Sequence, residues 1–83
     1  MHSLQILPSA VRDLDALDPT VLRRLRPKLE RLREDPRPHG CIKLTADGGY
    51  RIRVGDYRIL YRVADSARVV FVYRIKHRRE AYR

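Results

Sequence analysis

Tyr50-Arg51-Ile52-Arg53-Val54-Gly55-Asp56-Tyr57-Arg58-Ile59-Leu60-Tyr61-Arg62-Val63 is the segment from which the architecture of this chain can be worked out. Before Gly55-Asp56, Tyr50, Ile52 and Val54 alternate with Arg51 and Arg53; after it, Tyr57, Ile59, Tyr61 and Val63 alternate with Arg58, Leu60 and Arg62. A period of two marks a half-buried strand. Gly-Asp between two such runs reads as a two-residue hairpin turn, with glycine supplying the positive φ of a type II′ turn. The register follows from the turn: Val54 lies opposite Tyr57, Arg53 opposite Arg58 and Arg51 opposite Leu60. Two arginines therefore face each other across the hairpin, which costs stability unless an anion lies between them.

Downstream, Val69-Val70-Phe71-Val72-Tyr73 is apolar on both faces, as in an interior strand, and the tail from Lys76 onward reads as a short helical turn. Upstream, Leu4 and Ile6 share a face and predict a first strand that ends at Pro8. Ser9 is placed to cap a helix carrying Val11, Leu14 and Leu17, with Asp13 favourable to its N-terminal dipole. Asp18-Pro19 closes that helix and opens another, Asp18 as cap and Pro19 at the first helical position. Leu22, Leu25, Leu29 and Leu32 form the apolar stripe of this second helix, and Pro27 predicts a kink or break within it. The loop Asp35-Pro36-Arg37-Pro38-His39-Gly40 is dense in helix stops. The order strand, helix, helix and three strands predicts an α+β fold, β-α-α-β-β-β, with a helical hairpin on one face of a mainly antiparallel four-stranded sheet.

With 83 residues and 9.8 kDa, the chain fits one domain over residues 1–83, which excludes a multidomain enzyme. A hydrophobic fraction of 43% supports a folded core and excludes a disordered basic tail. The formal charge is +9, and 16 of the 19 basic residues are arginines, whose planar fork matches phosphate and carboxylate oxygens. The excess sits mainly in the second half: residues 1–49 carry a net of +2 and residues 50–83 a net of +7. Charge, alternation and arginine bias together point to a polyanion-binding strand face and tail. The basic second helix reads instead as a solvated face, because its arginines are interspersed with Glu30, Glu34 and Asp35. The single Cys41 has no internal disulfide partner, and no cysteine–histidine cluster has zinc spacing. No cofactor, metal or membrane association is expected, and the reading places the protein in the cytoplasm.

Three motifs carry a family resemblance: Tyr50-Arg51-Ile52-Arg53, Asp56-Tyr57-Arg58-Ile59-Leu60-Tyr61 and His77-Arg78-Arg79-Glu80-Ala81-Tyr82. Together with the strand-helix-helix start and the Asp35-Pro36-Arg37-Pro38 loop, the chain resembles the RelE/ParE toxin superfamily, closest to the RelE branch. The resemblance implies a toxin of a type II toxin-antitoxin pair that enters the ribosomal A site and cuts the mRNA codon there. It implies metal-free chemistry, in which the ribose 2′-hydroxyl attacks the neighbouring phosphate and leaves a cyclic phosphate. It implies a short acidic cognate antitoxin that masks the basic surface, with the ribosome and mRNA as the other partners.

Residue by residue, the resemblance puts Arg51 and Arg53 where such toxins carry basic residues, one of them the proposed general base. It matches Arg58 to the arginine that holds the scissile phosphate and Arg78 to the one that stabilises developing charge or protonates the leaving 5′-oxygen. His77 matches a histidine that other branches use as general acid, and Tyr82 the tyrosine that stacks on an mRNA base. A guanidinium stays protonated in proteins, so Arg51 is a poor proton acceptor, and the base stays open, with His77 able to act as acid or base. Tyr50, Tyr57 and Tyr61 fall on the core face and read as packing residues. Lys76 departs from the glycine common at that point in the family. Two alternatives stand beside the nuclease: a ParE-like toxin that inhibits DNA gyrase without cleaving anything, and an inactive relative that only binds an antitoxin.

Overall fold

A computed structural model describes residues 1–44 and 48–81. The chain runs β1 (Ser3–Ile6), α1 (Pro8–Asp15), α2 (Pro19–Glu34), β2 (Ile42–Lys43), β3 (Tyr50–Val54), β4 (Tyr57–Ala64), β5 (Val69–His77) and α3 (Arg78–Ala81). The strands form a five-stranded sheet in the order β1-β5-β4-β3-β2, antiparallel except where β1 runs parallel to β5. The α+β architecture is as expected, with one more strand than the four anticipated. That strand, β2, has two residues, too few for alternation to show, and exists because Ile42 and Lys43 pair with Arg51 and Tyr50.

The hairpin register is the one read from the turn, with Val54 opposite Tyr57 and Arg53 opposite Arg58. Its core face meets the helices: Ile52, Ile59 and Tyr61 are buried with Leu25, Leu29 and Leu32 of α2, Ala10 of α1 and Val70, Val72 and Ile75 of β5. No described helix is long and apolar enough to cross a membrane.

Three local expectations are corrected. The helix α2 runs unbroken through Pro27, which is exposed, so the backbone carbonyl that loses its partner can be solvated while the leucine stripe holds the helix on the sheet. The helix α1 starts at Pro8, so Ser9 lies inside it rather than at the cap, and the Ser9 hydroxyl donates to the Tyr73 carbonyl at 2.7 Å. Asp13 lies in the last turn of α1, away from the N-terminal dipole, where it accepts from the Ile75 backbone N–H and the Arg74 guanidinium, both at 2.8 Å. The reason is common to the last two: β1 covers β5 only through Val72, and α1 supplies polar partners to the strand edge beyond it. Asp18 does cap α2, accepting from the Val21 N–H at 3.1 Å.

A bulge on β5 decides which side chains share a face. Leu60 pairs with Arg74 but Tyr61 pairs with Val72, leaving Tyr73 as the extra residue. Before it, Val70 and Val72 point into the core; after it, Ile75 does, and the alternation has moved by one. Lys76 therefore comes beside Arg58 on the open face, while His77 comes beside Tyr57.

At the far end of the sheet, Arg37 anchors the loop after α2. Its guanidinium donates to both Asp65 oxygens at 3.1 and 2.8 Å and to the Tyr50 hydroxyl at 2.9 Å. Tyr61 donates its hydroxyl to the Pro36 carbonyl at 2.7 Å, and burial, then the neighbouring Cys41, pushes its phenol well above the ordinary value. The hydrogen bond from Arg37 holds the Asp65 carboxylate below the usual range. A carboxylate depressed in the folded state stabilises above its unfolded pKa of about 3.9, and the contribution is lost as pH falls through the folded value. Replacing Asp65→Asn is therefore expected to make the fall of Tm on acidification shallower below about pH 4, read by thermal denaturation of both proteins over a pH series. An unchanged acid slope would place the acid sensitivity elsewhere.

Candidate anion-binding site at the β3–β4 hairpin

Gly55 turns the hairpin with φ +60°, and a Cβ there would stand 3.2 Å from the Arg24 guanidinium, so the turn lies tight against α2. Asp56 has no positive φ, which agrees with a type II′ rather than a type I′ turn. Behind the turn, a row of cations crosses the sheet: Arg53 on β3 opposes Arg58 on β4, which opposes Lys76 on β5. Arg58 is only 2% exposed, so its guanidinium is packed away from bulk water. Arg53 is exposed beside it, and among the described residues neither Arg51 nor Arg53 takes part in an ion pair.

Where β5 gives way to α3, the Arg78 backbone N–H donates to the Asp56 carbonyl at 2.7 Å, and the Arg78 guanidinium lies 3.7 Å from the Asp56 carboxylate. This contact brings the tail onto the hairpin tip. Arg53, Arg58 and Arg78, with Gly55 and Asp56, line a recess of about 160 Å3. It adjoins a wider recess of about 650 Å3 lined by Asp56, His77, Arg78 and Arg79. The His77 ring meets Tyr57 edge-on with centroids 5.1 Å apart, and its Nδ1 accepts the Arg79 N–H at 3.2 Å. A neutral ring held this way carries its proton on Nε2 and offers it as a donor; protonating Nδ1 breaks the bond to Arg79.

The structure thus gathers Arg53, Arg58 and Arg78 around one recess and places His77 in the next. Arg51 lines a different recess, of about 330 Å3, with Gly40, Ile42 and Arg53. Tyr82 lies outside the described residues. Sequence reasoning missed Asp56 and Lys76. The carboxylate could have been suspected from its place in the turn between two arginine-bearing strands; Lys76 could not, because its face depends on the bulge. Three guanidiniums converging on a small recess can bind a phosphate through charge-assisted hydrogen bonds and stabilise negative charge that grows on its oxygens.

Comparison with known proteins identifies the fold that carries this arrangement. Residues 4–82 match the family described as the ParE toxin of type II toxin-antitoxin systems, parDE. A candidate toxin of Methanocaldococcus jannaschii, RelE1, is 27% identical over 85 residues, covering 98% of this chain and 94% of the relative. The archaeal RelE–RelB complex from Pyrococcus horikoshii contains a chain of the same fold, with TM-score 0.82 and 30% identity over 93% of this chain and 94% of that one. The isolated Escherichia coli RelE toxin superposes with TM-score 0.80 and 28% identity, over 99% of this chain and 96% of that one. In the Pyrococcus structure the RelE-type toxin is held in complex with a RelB-type antitoxin. Hairpin, arginine row and tail thus stand in a toxin framework, and the chain belongs to the ParE toxin family of type II toxin-antitoxin systems, within the RelE/ParE superfamily.

Proposed function

We propose that this toxin is a ribosome-dependent, metal-independent mRNA endonuclease acting in the cytoplasm as a single domain over residues 1–83. The observation that carries the reading is the convergence of Arg53, Arg58 and Arg78, from three separate segments, on one recess of phosphate size. As the ribose 2′-hydroxyl gives its proton to solvent, O2′ bonds to the adjacent phosphorus, the P–O5′ bond breaks, O5′ takes up a proton in return, and the products are a 2′,3′-cyclic phosphate and a 5′-hydroxyl. Negative charge rises on the phosphoryl oxygens along this path. Prepositioned guanidiniums favour that state over the ground state, and Arg58 is the most deeply buried of the three.

Arg78, at the tip, faces the leaving oxygen in this scheme, and His77 supports it through Nε2, the ring nitrogen not bonded to the Arg79 N–H. Arg51 contributes positive charge to the adjoining nucleotide rather than proton transfer, since a guanidinium stays protonated. Tyr82 keeps the base-stacking role implied by the family likeness. The partners are the ribosome, its A-site mRNA and an acidic antitoxin complementary to the +9 chain.

The test is to add the purified toxin to stalled ribosomes carrying a defined mRNA, with naked mRNA in parallel, and map the RNA ends. Cuts in the A-site codon, on ribosomes alone, are expected. No cutting by a folded protein would overturn the nuclease and turn attention to gyrase inhibition or to an inactive antitoxin-binding relative.

A further inference from the structure

The third recess is formed by Gly40, Ile42, Arg51 and Arg53, and the scheme above uses its arginines but not Ile42 or the space beside it. Ile42 is 49% exposed, one of few large apolar side chains so open among the described residues. It lies on the edge strand β2 in register with Arg51, so the aliphatic side chain and the guanidinium stand next to each other. A Cβ at Gly40 would meet nothing within 4 Å, which leaves that side open. Arg53 lines both this recess and the one that holds Arg58 and Arg78, so the two are contiguous. The volume of about 330 Å3 falls at the lower end of the range that takes small organic ligands.

An aliphatic floor beside guanidinium planes that have no acidic partner among the described residues is what an unstacked nucleobase needs: an apolar surface for its face and cations for the flanking backbone. We propose that this recess is a base-binding subsite for the RNA nucleotide adjacent to the phosphate seated at Arg53, Arg58 and Arg78, with Ile42 as the residue that reads the base. The inference rests on the phosphate-site reading and extends it by one nucleotide. Arg53 then bridges phosphate and base subsites, and Arg51 neutralises the next stretch of backbone. A lone exposed isoleucine is ordinary on a protein surface; its pairing with Arg51, in a recess continuous with the arginine trio, sets this one apart.

The experiment uses ribosomes programmed with mRNAs that carry an abasic nucleotide at each position of the A-site codon in turn, cut by the wild-type toxin and by Ile42→Ala and Ile42→Trp. Removing the base at one position is expected to slow wild-type cutting about fivefold or more, as loss of a stacked base does. Ile42→Ala should slow cutting of the intact codon to a similar extent, with no further loss on that abasic mRNA. Ile42→Trp should restore the dependence on the base. If every abasic position slows the wild type and Ile42→Ala by the same factor, the base subsite is wrong while the phosphate site stands. If the wild type cuts no intact codon, both fall together. Ile42 is exposed on a two-residue edge strand, so the variants should keep the wild-type thermal transition.

Discussion

Replacing Arg58 by alanine is expected to lower A-site cutting by about a hundredfold to a thousandfold, the cost of removing one preorganised donor at a site of developing charge. The size follows from its place. Arg58 is 2% exposed and lies in register between Arg53 and Lys76, so its guanidinium is already largely desolvated before any phosphate arrives. Arg58→Lys keeps the charge but loses the planar fork, and should recover only part of the rate. Arg26, exposed on α2, offers the control: Arg26→Ala removes the same unit of charge at a position outside the site and should leave cutting nearly unchanged. Single-turnover rates on programmed ribosomes, with circular dichroism to verify folding, decide the matter. Equal losses in Arg58→Ala and Arg26→Ala would mean that net charge matters and the recess does not.

The largest effect on stability is expected from Leu32→Ala, at about 2–5 kcal/mol. Leu32 is fully buried near the end of α2, packed with Leu25 and Leu29 against the sheet. A domain of 83 residues has a total stability of about 4–12 kcal/mol, so one such cavity removes a large share of it. The melting temperature should fall by at least about 8 °C, whereas exposed Lys28→Ala should change stability by no more than about 0.5 kcal/mol. Urea denaturation of the three proteins measures both differences. A Leu32→Ala protein as stable as the parent would show that α2 is not held by its leucine stripe, and the account of why α2 continues through Pro27 would fail with it.

The Pro27 result shows how local and tertiary effects trade. Read locally, a proline in mid-helix predicts a kink or break; in the fold, the residue faces solvent and three buried leucines hold the segments on either side. Ser9 and Asp13 teach the complementary point. Both look like helix-end residues because their side chains bond backbone groups, and both do so, but on β5 rather than on α1. Their partners lie more than sixty residues away, beyond anything local spacing reports.

Among the site residues, Arg53 and Arg58 were legible because a two-residue turn sets their pairing directly. Arg78 was legible only through family likeness. Nothing in residues 76–81 alone says that the tail lands on Asp56. Arg51 and Arg53 were grouped by alternation, and they do share a face and the recess beside Ile42; only Arg53 also lines the recess of Arg58 and Arg78, because residues two apart on a strand share a side yet stand far enough apart to differ in neighbours.

Local sequence by itself determined the helical pair, the hairpin register and the basic open face. Each follows from a period of two, a leucine stripe or a glycine turn, and a slip of one residue would turn the whole apolar set of a strand out to solvent. Only the tertiary structure decided the parallel pairing of β1 with β5, the use of α1 to satisfy the exposed edge of β5, and the bulge at Tyr73 that brings Lys76 beside Arg58 and His77 beside Tyr57. These depend on which distant strand edges and apolar faces must be covered when the core closes, a condition met by the whole chain at once.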